Sequence, residues 1–258
     1  VASNGYRDRV AAAAAMIRGA RHLLAFTGAG ISTESGLSDF RSPGGVWTRH
    51  RMVTYQEFTA SREARGEFWR MKRAFQRELV GARPNPAHLA LAELERLGRL
   101  AAIVTQNIDG LHQEAGSSPG RVIELHGTGR RWTCISCGRQ GPIGEVQARL
   151  DAGQDDPRCE ACQGLVMPAI VMFGQSMPVT ELERAFGHAA EADVVLMIGS
   201  SLTVEPAASV PREAARSGAR LIFVNRTETP LDHLAALIFR EPAGGVLADI
   251  VAGLDAAG

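Results

Sequence analysis

The stretch His22-Leu23-Leu24-Ala25-Phe26-Thr27-Gly28-Ala29-Gly30 decides the fold of this chain. A short apolar run stops at Thr27 and gives way to two glycines flanking an alanine, which reads as a buried strand entering a tight turn. Upstream, residues 7–18 are alanine-rich and helix-prone, with Gly19 as the stop. Three more apolar runs end in small or polar residues: 100–104 in Thr105-Gln106-Asn107, 194–198 in Gly199-Ser200-Ser201, and 221–224 in Asn225. Helical patterns over 87–97 and 206–217 lie between them. Strands that alternate with helices imply an α/β fold with a doubly wound, parallel, Rossmann-like sheet. Ligands of such sheets bind beyond the carboxyl ends of the strands, so these polar strand ends are expected to converge on one crevice.

At 258 residues the chain can bury a substantial core. Its 28 basic and 28 acidic side chains cancel, which leaves no overall electrostatic footprint for nucleic acid or an anionic membrane. No apolar run approaches the roughly 20 residues that span a bilayer, and the alanine tract 11–15 is too short and too weakly hydrophobic for a signal-peptide core. The expectation is a soluble, cytoplasmic protein with no membrane partner and no specific nucleic-acid partner.

The four cysteines, Cys134, Cys137, Cys159 and Cys162, form two C-x-x-C pairs. Two such knuckles can supply a tetrahedral zinc site, with reduced thiols or a redox C-x-x-C as the competing readings. Four thiolates would leave the metal no open position, so the zinc would be structural. The cysteines sit in one of two stretches that interrupt the strand–helix alternation. Residues 42–83, with Trp47, Phe58, Phe68, Trp69 and Phe75, read as a helical insert, and residues 127–167 as a zinc module. Together they would form a small lobe, leaving 1–41, 84–126 and 168–258 to the large one. Residues 253–258 read as a frayed tail.

Gly28-Ala29-Gly30 alone does not decide nucleotide binding, because Thr33 replaces the third glycine of the dehydrogenase fingerprint and such a turn can serve geometry only. The residues after it are more specific. Gly30-Ile31-Ser32-Thr33-Glu34-Ser35-Gly36-Leu37-Ser38-Asp39-Phe40-Arg41 is followed by Thr105-Gln106-Asn107-Ile108-Asp109-Gly110-Leu111-His112 and by Glu124-Leu125-His126-Gly127. The cysteine pairs come next, then a segment containing Phe173-Gly174, then Gly199-Ser200-Ser201-Leu202 and Val224-Asn225. In this order, from about residue 22 to 247, the chain resembles the sirtuin family of NAD-dependent protein-lysine deacylases.

The resemblance implies that Gly28, Ala29, Gly30, Thr33, Gln106, Gly199, Ser200, Ser201, Asn225 and Val246 line the NAD site, with Asp39 and Arg41 also on it. Phe40, Ile108 and Asp109 would surround the nicotinamide, Asn107 would order water and ribose, and His126 would be the general base. A neutral imidazole near its ordinary pKa of ~6.5 suits that task. The other histidines read as packed or solvated side chains, with His112 on a helix beside the site. Residues 168–174 read as an extended apolar segment, with a buried strand as the alternative. In the family this segment pairs with the substrate peptide, placing Val171, Phe173 and Gly174 around the acyl-lysine, and main-chain pairing of this kind fits many protein partners.

Three positions depart from the family pattern without removing a catalytic group: Ser38, Met172 and Gln175. Family members that prefer acidic acyl groups carry a tyrosine and an arginine three residues apart in the insert. Trp69 and Lys72 stand there in this chain. With Lys72 read as a solvated helix lysine, acetyl or longer neutral acyl-lysines are the expected substrates over succinyl-lysine. The implied reaction moves the acyl group from lysine to ADP-ribose and consumes NAD. Protein mono-ADP-ribosyltransfer from the same pocket is the alternative. A non-catalytic NAD sensor is disfavoured by the joint presence of Asn107, Asp109 and His126. A zinc-ribbon nucleic-acid binder has only Arg130, Arg131 and Arg139 in its favour.

Overall fold

The computed structural model describes residues 2–39, 45, 48 and 50–255. The run that opened the sequence reading forms strand β1, Leu23–Thr27, with all five residues buried. It pairs in parallel with β2, Leu100–Thr105, on one side and with β7, Val194–Ile198, on the other. Strands β3, Val122–Glu124, β8, Arg220–Val224, and β9, Ala235–Phe239, complete a six-stranded parallel sheet in the order β3-β2-β1-β7-β8-β9. Numbered within this sheet alone, the order is 3-2-1-4-5-6, the doubly wound nucleotide-binding arrangement, and the direction of winding reverses between β1 and β7.

Unbroken apolar runs make sense because both faces of the sheet are covered. Leu23 and Ala25 face the core formed with helices Ala2–Gly19, Pro86–Arg96 and Ala243–Asp255. Leu24 and Phe26 face the opposite core, built with helices Val179–Glu191 and Ser209–Arg216. Fully buried side chains such as Phe26 and Phe223 each stabilise by roughly 1.5–3 kcal/mol.

A separate antiparallel sheet, order β5-β4-β6, comprises β4, Gly127–Cys134, β5, Gln140–Pro142, and β6, Val166–Ile170. Its core joins Trp132, Val166 and Met167 to Ile143, Val146 and Leu150 of helix Ile143–Asp151 and to Phe58, Phe68 and Trp69 of helices Tyr55–Ala60 and Arg62–Gly81. The last three rings pack edge to face, with centroids 5.1 Å apart for Phe58–Phe68 and 5.6 Å for Phe68–Trp69. Arg65 on the long helix makes a bidentate pair with Asp156, at 2.8 and 2.9 Å, and both side chains are almost wholly buried.

Several boundaries differ from the sequence reading. Strand β6 is a buried strand where its register with Cys134, Thr133, Trp132 and Gly127 on β4 holds, and pairing stops at Ile170. The helix expected over 206–217 begins at Ser209, which puts Pro211 in its first turn, where the missing N–H costs nothing. Helix Ala243–Asp255 carries the chain through Gly253, so the expected frayed tail is helical as far as Asp255. Strand β9 was not anticipated. It is an edge strand, wholly apolar in sequence, with only Phe239 buried.

Candidate active site

A cavity of about 850 Å³ opens at the carboxyl ends of the strands and spans the point where the winding reverses. Its nucleotide-side wall is formed by the residues that follow β1, β2, β7 and β8: Gly28, Ala29, Gly30 and Thr33, then Gln106, Asn107 and Ile108, then Gly199, Ser200 and Ser201, then Asn225. Asp39 also lines it. The glycines are needed for backbone contact. The Gly30 N–H donates to the Gly199 carbonyl at 2.8 Å, and a Cβ on Gly30 would lie 2.7 Å from Gly199 Cα. The β1 and β7 turns therefore cross with no room for a side chain, so part of the Gly28-Ala29-Gly30 signal is packing geometry. On the wall, the Gln106 amide donates to Ser200 Oγ at 2.8 Å, and the Asn225 amide to the Thr227 carbonyl at 2.8 Å.

His126 follows β3 and lines the same cavity. Its Nδ1 lies 2.9 Å from the Gln106 carbonyl oxygen. A carbonyl only accepts, so Nδ1 carries the proton and Nε2 presents a lone pair. Burial pushes the imidazole below its ordinary pKa, while the bond to the Gln106 carbonyl works in the opposite direction. The outcome is a neutral imidazole at physiological pH.

Beneath the cavity floor lies a buried polar network. The Ser32 hydroxyl donates to Asp109 Oδ2 at 2.8 Å and accepts from the Asn107 amide at 3.2 Å, while Asn107 also donates to the Gly28 carbonyl at 3.1 Å. The second oxygen of Asp109 accepts the Leu111 N–H at 2.9 Å. Behind Ser32 stands His88, whose Nδ1 accepts the Asn85 N–H, so its Nε2–H faces the serine oxygen at 3.5 Å. Thr27 donates to Thr105, which leaves His112 to donate through Nε2 to Thr27 Oγ1 at 2.9 Å. The other ring nitrogen of His112 is buried without a partner. Burial holds the His88 imidazole below its ordinary pKa despite nearby Asp109, and drives that of His112 down to about 3, with His88 adding to the effect.

Val171, Phe173 and Gly174 line the far side of the cavity. The Val171 N–H donates to the His126 carbonyl at 2.9 Å, and the Tyr55 N–H to the Phe173 carbonyl at 2.9 Å. The segment after β6 is thus tied both to the histidine and to the helical insert, and Phe173 is left 40% exposed at the mouth.

Cys134, Cys137, Cys159 and Cys162 come together with all four sulfurs within 4.8 Å of one another. The contacts Cys134–Cys162, at 3.5 Å, and Cys137–Cys159, at 3.7 Å, are far too long for disulfides. A tetrahedral ion with Zn–S bonds of ~2.3 Å would hold its sulfurs about 3.8 Å apart, so the donor set fits one zinc ion. Strand β4 begins immediately after His126 and ends at Cys134, and so links this centre to the cavity.

Three expectations need comment. Val246 does not line the cavity: its side chain is fully buried in the core, and Ala243, about one turn earlier on the same helix, takes the wall position. Asp109 lies beside the main cavity, on a small side pocket shared with Ala29, Ser32, Leu37, Asn107 and Ile108. Phe40 and Arg41 fall outside the described residues. His88 is packed, one of the two states the sequence allows, and stands behind Ser32, whereas Lys72 is 4% exposed and lines the cavity instead of facing solvent. Periodicity held a signal for Lys72: Arg65, Phe68, Trp69, Lys72 and Leu79 repeat on the buried face of their helix.

The fold and the cavity at its switch point define the class, a Rossmann-like nucleotide-binding protein with a four-thiolate module inserted beside the site. The Sir2 family model matches residues 28–206, and the chain belongs to the Sir2 family. It is 50% identical over 246 residues to an NAD-dependent protein deacetylase of Thermodesulfovibrio yellowstonii, covering 95% of each chain. To NAD-dependent protein deacetylase 1 of Bradyrhizobium diazoefficiens it is 46% identical over 237 residues, 92% of each. A solved structure, "Sir2-p53 peptide-NAD+", superposes with a TM-score of 0.86 at 35% identity, covering 94% of this chain and 97% of that one. Among the described residues no helix is long and apolar enough to cross a membrane.

Proposed function

We propose that this chain is an NAD-dependent protein-lysine deacylase, a deacetylase in the first instance, that transfers the acyl group of a modified lysine to ADP-ribose and releases nicotinamide. One observation carries the reading: a single cavity joins the strand-end nucleotide wall to His126 and to the segment 171–174. In the reaction this implies, the acyl carbonyl oxygen attacks the ribose carbon that bears nicotinamide, and nicotinamide leaves with the bonding electrons. His126 Nε2 takes the proton of a ribose hydroxyl, whose oxygen attacks the former carbonyl carbon. One water completes release of the lysine amine, and the acyl group ends as an ester of ADP-ribose.

Within this mechanism Gly28, Ala29, Gly30, Thr33, Gly199, Ser200, Ser201, Asn225 and Gln106 cradle NAD. Asn107, fixed by the Gly28 carbonyl and Ser32, orients ribose and water, and Asp109 with Ile108 receives the nicotinamide. Asp39 adds to the same wall. The substrate strand pairs along 171–174, with Val171 and Phe173 flanking the lysine stem. The four cysteines would hold one structural zinc ion, which would supply no reacting group. The small lobe comprises 42–83 and 127–167, supported by the core they share. Acylated-lysine proteins or peptides are the partners, and a reducing compartment that holds NAD, the cytoplasm, suits four free thiols.

Incubation with NAD and acyl-lysine peptides, followed by mass spectrometry of all products, tests the reading. Free lysine peptide with O-acyl-ADP-ribose supports it. ADP-ribose attached to the peptide would replace it with mono-ADP-ribosyltransfer.

A further inference from the structure

The long helix of the insert buries two cations on one face, and the structure treats them differently. Arg65 is matched by Asp156 through two short bonds. Lys72, two turns later, has no hydrogen bond and no ion pair among the described residues, and its ammonium lies over the face of Phe75, 4.9 Å from the ring centroid. The undescribed residues between 39 and 50 include no Asp or Glu. Lysine is almost never buried without a partner, because a desolvated, uncompensated charge is costly and a cation–π contact offsets only part of that cost. Burial alone lowers its pKa to about 8, with no neighbouring carboxylate to oppose it. One turn earlier, Trp69 also carries a buried indole N–H without an acceptor.

The surroundings of Lys72 indicate what kind of partner is missing. It lines the active-site cavity, where Val53, Phe68, Met71, Ile108, Ile170 and Met172 make the neighbouring wall apolar. A Cβ on Gly129 would lie 3.3 Å from Lys72 Nζ and 3.6 Å from Ile108 Cδ1, so the ammonium sits against β4 three residues beyond His126. At the rise of an extended chain that is roughly 10 Å, enough for an acyl group of two or three methylenes between a carbonyl at the ribose and a terminal group at the lysine. A methyl end there would leave the ammonium unpaired, whereas a carboxylate end would pair it.

We propose that Lys72 determines acyl specificity by receiving the terminal carboxylate of a dicarboxylic acyl chain, of the succinyl or glutaryl class, whose methylenes lie along the apolar wall. This rests on the deacylase reading and reverses the preference for neutral acyl groups expected from the sequence. The acyl transfer is unchanged, with the same bonds formed and broken and one water consumed.

The test is kcat/KM for acetyl, butyryl, succinyl and succinamoyl versions of one lysine peptide, the last being the neutral counterpart of succinyl, with wild type, Lys72→Met and Lys72→Arg. Succinyl should exceed butyryl and succinamoyl in the wild type by at least about 10-fold, the lower value of a charge-assisted hydrogen bond. Lys72→Met should lower the succinyl-to-butyryl ratio by a similar factor, and Lys72→Arg should keep succinyl ahead. A wild type that processes butyryl as well as or better than succinyl overturns the proposal even if the Met variant does not fold. So does a folded Lys72→Met variant with an unaltered ratio. In both cases turnover of acetyl and butyryl peptides leaves the deacylase reading standing, whereas no turnover of any acyl peptide removes that reading itself.

Discussion

Lowering the pH from 7 to 5 should destabilise the folded protein by about 2 kcal/mol through His112 alone. The imidazole is wholly buried, one ring nitrogen lacks a partner, and burial brings its pKa down to about 3. In the unfolded chain it titrates near 6.5. A depressed folded pKa means that its stability contribution is complete above ~6.5 and is lost as the pH falls from there toward 3. At pH 5 the unfolded state has taken up a proton that the folded state refuses, over about 1.5 pH units at 1.36 kcal/mol each. Urea denaturation of wild type and His112→Gln at pH 7, 6 and 5 isolates this share, because titration of every other group is common to both proteins. Glutamine keeps a donor for Thr27 and cannot be charged. The variant should show about 2 kcal/mol less pH dependence across the range. Parallel curves for the two proteins would refute the assignment of His112 as a buried neutral imidazole.

His126→Ala should keep fold and NAD binding while lowering deacylation by at least ~100-fold, and near-wild-type turnover in a folded variant would remove it as the base. Because burial lowers the His126 pKa, the acid limb of the kcat/KM profile should have its midpoint below ~6.5, and a midpoint at or above that value contradicts the burial argument. Asp109→Asn should weaken nicotinamide inhibition and exchange with a modest loss of stability, of about 1–3 kcal/mol, because its single amide oxygen cannot accept from both the Ser32 hydroxyl and the Leu111 N–H. Chelating the metal should unfold the small sheet and abolish activity indirectly through β4 and β6, and a folded, fully active metal-free protein would show that the cysteines serve another purpose.

The inner strands were legible in the sequence because burial on both faces leaves unbroken apolar runs, as in β1 and β7, where all five residues are buried. The strand-end residues were legible because a parallel sheet places successive carboxyl ends together. Edge strand β9 is as apolar as the inner strands, all five of its residues from Ala235 to Phe239 being apolar, but at the sheet edge only Phe239 is buried. The Val246 side chain points into the core instead of the cavity, because collinear resemblance locates a residue along a helix without saying which way its side chain points. His88 and Lys72 depended on tertiary neighbours distant in sequence: Ser32 and Asp109 for one, Gly129 and Ile108 for the other. Lys72 shows that helical periodicity can outrank residue type, because its position placed it on the buried face although its charge suggested solvent.

Pairing of β4 with β6 brings Cys134 opposite Val166, so the segment between them, which carries the other three cysteines, β5 and helix Ile143–Asp151, starts and ends at the same place. The intervening segment is a cassette with coincident ends. Length changes between those two points should leave His126 and Val171 in place provided that the seam from Gly127 to Ile170 keeps its register, β5 still pairs with β4, and the cysteines, Asp156 and the core side chains Ile143, Val146 and Leu150 are kept. Variation across the family should therefore concentrate inside the cassette, and the seam should tolerate neither insertion nor deletion.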